Sequence, residues 1–255
     1  MKRTILTQTQ LDMLEKALLR FGPIVTSDEL AEIISDKSPS HRRKIVKNLV
    51  DTGWLVRIKR GVYQIAEMSS LGTLSLSRLA VAQILLPNSY VSFESALHYW
   101  GMVDQLLGTV GSVTRQAYYG PDQVEGTRYI FVKTTDIYFY GWQTVEIGQR
   151  QVQIATAEKA LIDMVQFHRS PLSLSIVQEK LDIYAHRLDF DRLTHFLLRA
   201  NLTTLRIWGH LLDQTSYDTS QLLSQSPDSS SVSKMTSNST VYDAKWQLYH
   251  DPVVT

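Results

Sequence analysis

The sequence predicts an α+β chain in two parts: a basic N-terminal module of three helices and a β-hairpin, then a larger α+β domain with an antiparallel sheet and a C-terminal helical cluster. Three observations predict it. Apolar residues recur at helical spacing up to Asp51, and short β-branched runs follow. Residues 1–66 carry 12 Lys/Arg against 7 Asp/Glu, a net of +5, whereas residues 67–255 carry 14 against 18, a net of −4. The overall charge of +1 hides this asymmetry. Between the parts, residues 67–73 are polar, small and glycine-containing, and they read as a linker.

Leu11, Leu14, Leu18 and Leu19 share one face of a helix over Gln8 to Phe21, which Gly22-Pro23 ends. Thr26 or Ser27 caps a second helix, Asp28 to Ser35, with Asp28 and Glu29 in its first turn and Leu30, Ile33 and Ile34 turned inward. Ser38 followed by Pro39 opens a third helix that runs to about Asp51 and stops at Gly53. At 100° per residue, Ile45, Val46, Leu49 and Val50 gather on one side of it and Ser40, Arg43, Lys44 and Lys47 on the other. Residues 54–58 and 62–65 then form two strands joined by Lys59-Arg60-Gly61. Three helices followed by a basic hairpin make a winged helix-turn-helix spanning residues 1–66.

The second domain, residues 74–216, opens with an apolar helix from Leu74 to Leu86, a short extended Tyr90-Val91 and a Ser92-capped helix carrying Phe93 to Trp100. Five β-rich segments follow, at 111–119, 127–133, 137–140, 144–147 and 151–154, and they predict one antiparallel sheet. Thr156 caps a helix from Ala157 to Phe167. Three more are expected at Leu174 to Ala185, Phe190 to Arg199 and Leu202 to Asp213. Residues 217–255 form a Ser/Thr-rich tail: half of the 24 residues from Tyr217 to Thr240 are Ser or Thr, too few of them apolar to offset ordering, so flexibility is expected.

Composition narrows the function classes. With 44% hydrophobic and 20% charged residues, this is an ordinary globular chain. The absence of cysteine excludes disulfides, thiolate metal sites and a cysteine nucleophile, and fits a reducing cytoplasm. The N-terminus lacks the apolar segment of a secretory signal, and the apolar run Leu79 to Leu86 is too short to span a bilayer, so a cytoplasmic protein with no membrane partner is expected. Pro121-Asp122 lacks the downstream acid-x-Lys of restriction-type nucleases. Gly111-Ser112 lacks the Asp-x-Asp of nucleotidyltransferases. His98, His168, His186, His195 and His210 show no metal-ligand spacing. Tyr118, Tyr119, Tyr138, Phe139, Tyr140 and Trp142 sit at strand spacing, as core and sheet surface. No catalysis, cofactor or metal is expected.

The chemistry concentrates in the basic module. Between Lys37 and Arg60 stand eight Lys/Arg against the single acid Asp51, the footprint of a polyanion-binding surface. Ser40, His41 and Arg43 occupy the first turns of the third helix, where a recognition helix meets base edges. Arg43 suits a bidentate contact to guanine, and Lys44 and Lys47 suit phosphates. The wing adds Arg57, Lys59 and Arg60, with Gly61 easing close approach to the backbone or minor groove. Double-stranded DNA is the expected partner.

Four stretches in order carry a family resemblance: Arg60-Gly61-Val62-Tyr63, the run Val91 to Gly101, the run Ile154 to Asp163, and Leu205 to Leu212. Over about residues 5–215 the chain resembles the AbiEi antitoxins of bacterial abortive-infection (type IV) toxin–antitoxin systems. The resemblance implies an N-terminal domain that binds inverted repeats in its own promoter and represses it. It also implies a C-terminal domain that counters a nucleotidyltransferase toxin, without requiring a stable complex. The Ser-rich tail departs from that pattern. The alternative from the residues alone is a standalone regulator whose second domain senses a ligand or mediates assembly.

Overall fold

The computed structural model describes residues 6–66, 77–104, 108–148, 150–227 and 229–252. The N-terminal module forms as its caps dictate. Helix α1 (Gln8–Phe21) opens on a Thr7/Gln10 capping box and ends at Gly22, whose φ of 81° needs no side chain. After strand β1 (Ile24–Thr26), helix α2 (Ser27–Ile33) opens on a second box, in which Glu29 N–H donates to Thr26 Oγ1 at 3.2 Å and Thr26 N–H to Glu29 Oε2 at 2.8 Å. Helix α3 (Pro39–Asp51) has Ser38 as its cap and proline in its first turn. Strands β2 (Leu55–Lys59) and β3 (Val62–Ile65) make the wing, turning at Gly61 with φ 77°. Strand β1, unread in the sequence, pairs with β3 to complete a three-stranded antiparallel sheet of order β1-β3-β2. Met13, Leu14, Leu18, Leu30, Leu49, Leu55 and Ile65 bury a core of the module's own.

In the second domain, α4 (Arg78–Leu85) covers the later part of the expected helix Leu74 to Leu86 but starts late, with Ser77 as its N-cap; residues 74–76 and the expected linker at 67–73 lie outside the described residues. Strand β4 (Ser89–Val91) and helix α5 (Phe93–Tyr99) follow, then β5 (Thr109–Thr114), β6 (Gln123–Val124), β7 (Thr127–Lys133), β8 (Trp142–Ile147) and β9 (Arg150–Ala155). They form a six-stranded sheet of order β6-β7-β5-β4-β9-β8. The expectation of an antiparallel sheet is corrected: β5 runs parallel to β7 and β4 parallel to β9, so the sheet is mixed. Residues 115–126 supply the crossover that a parallel β5–β7 pair requires. The segment 137–140, read as a strand, instead holds a 3-10 turn at Asp136–Tyr138 and ends at Gly141, against which the Lys159 stem packs.

Helix α6 (Ala157–His168) is the central element, packed against α5, α7 (Pro171–Tyr184), α8 (Phe190–Leu197) and α9 (Leu202–Leu212). Its Lys159 and Asp163, one turn apart, form a wholly buried ion pair. Tyr90 Oη and Ser92 Oγ donate to the same carboxylate at 3.0 and 2.7 Å, so the charge is satisfied from β4 as well. Glu158, in the first turn of α6, is 1% exposed and accepts from the Asp189 N–H and Arg192, tying α6 to the start of α8.

The flexible tail expected at residues 217–255 is likewise corrected for its described residues. They form α10 (Ser220–Ser224) and a small sheet of β10 (Ser233–Lys234), β11 (Val241–Asp243) and β12 (Leu248–His250). Trp246, 2% exposed, lies on Gly209 of α9, where an added Cβ would stand 2.5 Å from the indole. Asp213 accepts from Trp246 Nε1, Thr219 Oγ1 and Lys245 Nζ. Buried Thr236 and Ser239 both donate to Asp251. Thr219, Ser233, Thr236 and Ser239, among the hydroxyls that suggest disorder, are spent on internal bonds.

Candidate nucleic-acid interface

Helix α3, thirteen residues and about 20 Å long, carries most of the residues expected to meet DNA. Leu49 is buried, and Ile45, Val46 and Val50 are half-buried against the module's core. On the opposite side Ser40, His41, Arg43, Lys44 and Lys47 are all exposed. Helical spacing sets Ser40, Lys44 and Lys47 along the crest, with Arg43 on the flank nearer the wing and His41 on the other. Asn48, two turns further along the His41 side, accepts from Gln10 of α1, which ties that end of α3 to α1.

Arg43 and Lys47 share a groove of about 660 Å³ with Arg57 of β2. Its floor is Ala31, Ile34, Val46, Val50 and Tyr63. With Arg42, four cations on two elements border this concave surface beside two acids, Asp28 and Asp51, so the groove is basic by two charges over a low-dielectric wall. Arg57 and Arg60 are exposed on the wing.

Lys59 does not join them. It is partly buried; its ammonium donates to the Leu85 carbonyl at the end of α4 and stands 5.8 Å from the Tyr118 ring centre. Burial lowers its pKa below the ordinary lysine value. It fastens the wing to the second domain, and nothing in its spacing within Lys59-Arg60-Gly61 distinguishes it from its neighbour. Arg42, on the inner side of α3, is likewise a brace. Its Nε donates to Lys37 O at 2.7 Å and its Nη2 to Ser35 O at 2.5 Å, closing the α2–α3 turn.

The module is docked, not free. Ile24 and Val62 belong to the core of the second domain, and Gln64 donates to Glu125 at 2.7 Å. Arg150, at the start of β9, pairs with Glu29 and donates to the carbonyls of Phe21 and Ile24. These contacts lie on β1, β3, the wing turn and the α1–α2 junction, away from the exposed side of α3. No group of three or more His, Asp or Glu among the described residues is placed to hold a metal ion. No helix among them is long and apolar enough to cross a membrane.

Residues 13–66 match the family model described as transcriptional regulator, AbiEi antitoxin. No curated protein matches the sequence. Among solved structures, the crystal structure of the RV2827C protein from Mycobacterium tuberculosis is similar with a TM-score of 0.63 and 16% identity, over 99% of this chain and 94% of that one. At that identity the likeness is one of fold, and it extends over nearly the whole chain.

Proposed function

Proceeding from an N-terminal module of the AbiEi antitoxin-regulator type, we propose that the chain is a duplex-DNA-binding autorepressor and an antitoxin that opposes a nucleotidyltransferase toxin from the same operon. The observation that carries the DNA half is the exposed cationic side of α3 facing Arg57 across one groove. Arg43 reads a base edge in the major groove, and Lys44, Lys47, Arg57 and Arg60 neutralise phosphates. The operator is an inverted repeat in the chain's own promoter. The protein acts in the bacterial cytoplasm without a catalytic step, cofactor or metal.

The antitoxin half rests on the family match and on the order of motifs in the second domain. Two of the three motif runs there meet in space: Ser92, near the head of the first, and Tyr90, just before it, hold Asp163 at the end of the second. That contact makes them a folding unit, which supports a shared domain and leaves the toxin-facing surface open. Co-expression tests this half: growth arrest by the neighbouring nucleotidyltransferase gene should be relieved by the full chain. Unrelieved arrest overturns it while leaving the DNA half standing.

A further inference from the structure

We propose that Arg150, in the second domain, is a positioning residue for the DNA-reading face: it holds the α1–α2 junction and thereby sets where α3 stands. The inference rests on the DNA-binding reading above.

Arg150 opens β9, directly after the β8–β9 turn, and its side chain is 13% exposed. Nη2 donates to Phe21 O at 2.7 Å and to Ile24 O at 3.0 Å, and Nε also reaches Phe21 O, at 3.2 Å. Nη1 and Nη2 pair with the two oxygens of Glu29. Each acceptor has a structural meaning. Phe21 is the last residue of α1, so its carbonyl is one of those a helix end leaves without a partner. Glu29 is the third residue of α2, and its Oε2 already accepts the Thr26 N–H of the capping box. One guanidinium thus caps the end of α1 and grips the start of α2, which suits its planar fork and which a single ammonium cannot repeat.

Helix α2 is seven residues long, too short to be stable alone, so its direction depends on what grips its ends. Arg42 of α3 grips the far end through Lys37 O and Ser35 O. Arg150 grips the near end from another domain. Helix α2 contributes Ser27, Asp28 and Ala31, and Ile34 at its C-cap, to the groove that Arg43, Lys47 and Arg57 border. A tilt of α2 therefore moves one wall of the reading groove against the other. The same contact makes the β8–β9 hairpin, at the edge of the large sheet, mechanically continuous with the DNA-reading helices.

The test uses the full chain with Arg150→Ala, Arg150→Lys, Glu29→Gln and the Arg150→Ala/Glu29→Gln double variant. Affinity for a duplex from its own promoter is measured well below each variant's melting temperature, against salt. Arg150→Ala should weaken binding about tenfold, in the range of typical intersite coupling. Its salt slope should stay unchanged, because no phosphate contact is removed. Arg150→Lys should recover part of the loss. Glu29→Gln keeps an oxygen for the Thr26 N–H and should weaken binding less, and the double variant should bind no worse than Arg150→Ala alone. A residue that only held the fold together would lower the melting temperature and leave the affinity of the folded protein unchanged, and that result overturns the proposal. So do losses that multiply in the double variant. Should Arg150→Ala fail to fold, Glu29→Gln decides: wild-type affinity there overturns the proposal. Failure of the wild type to bind duplex, or indifference to Arg43→Ala/Lys47→Ala, overturns the DNA-binding reading itself and is read separately.

Discussion

Arg43, Lys47 and Lys59 look alike in sequence and part company in the fold. Arg43 and Lys47 border the open groove, whereas Lys59 is turned into the Leu85 carbonyl. Their substitutions should separate accordingly. Arg43→Ala should cost about 1–3 kcal/mol on the operator and less on unrelated duplex, the mark of a base contact. Lys47→Ala should weaken all duplexes alike and lower the salt slope by about 1, whereas Lys59→Ala should leave that slope nearly unchanged. Competition binding at several salt concentrations checks all three. In the second domain, Asp163→Ala strands the fully buried Lys159 ammonium and should cost about 3–5 kcal/mol in denaturant unfolding. Replacing both residues by apolar ones of similar volume should cost much less.

The helices of the N-terminal module are legible in the sequence because their ends are written locally. Thr7, Thr26 and Ser38 each cap the helix that follows, within three residues of their partners. Ser38→Ala should lower stability by about 1 kcal/mol, measured by thermal or denaturant melts, and it also removes the Ser38 Oγ–Ser40 Oγ contact of 3.2 Å at the start of α3. Strand β1 escapes a sequence reading because three residues are too few to show a period, and its partner β3 lies almost forty residues on. The parallel pairings escape it because strand runs carry no sign of direction; only the crossover of residues 115–126 hints at one. The C-terminal sheet is hidden for a different reason. Serine and threonine counts say nothing of acceptors such as Asp251 that satisfy them, nor of the flat seat that Gly209 offers Trp246. Gly209→Ala should cost about 1–3 kcal/mol by overpacking that seat. Burial works against ionisation of Asp213, but hydrogen bonds from Lys245, Thr219 and Trp246 outweigh it and hold the carboxyl below its ordinary 3.8. Its contribution is therefore present above 3.8 and lost as pH falls through the lower folded value. Acid unfolding of the C-terminal sheet, followed by hydrogen exchange near Trp246, should lose this component in Asp213→Asn.

At the scale of the whole molecule, the charge asymmetry about residue 66 locates the candidate site, and the fold brings Arg43, Lys47 and Arg57 of it to one groove. The sequence is silent on how the two domains join. Arg150 and Glu29 are 121 positions apart, and neither sits in a motif that announces the other. That joining turns the basic module from an independent head into part of a larger body, with Ile24 and Val62 in the second domain's core. The C-terminal segment belongs to the same body, so deleting residues 217–255 should lower the melting temperature rather than leave it unchanged.

The measurement that tests the central claim most directly is the salt dependence of binding to a duplex from the chain's own promoter. Lys44, Lys47, Arg57 and Arg60 at phosphates, with Arg43 on a base edge, predict a log–log slope of about −3.6, whose magnitude falls by about 2.7 in the Lys44→Ala/Lys47→Ala/Arg57→Ala variant. A slope near zero, or one that the triple substitution leaves unchanged, would contradict it.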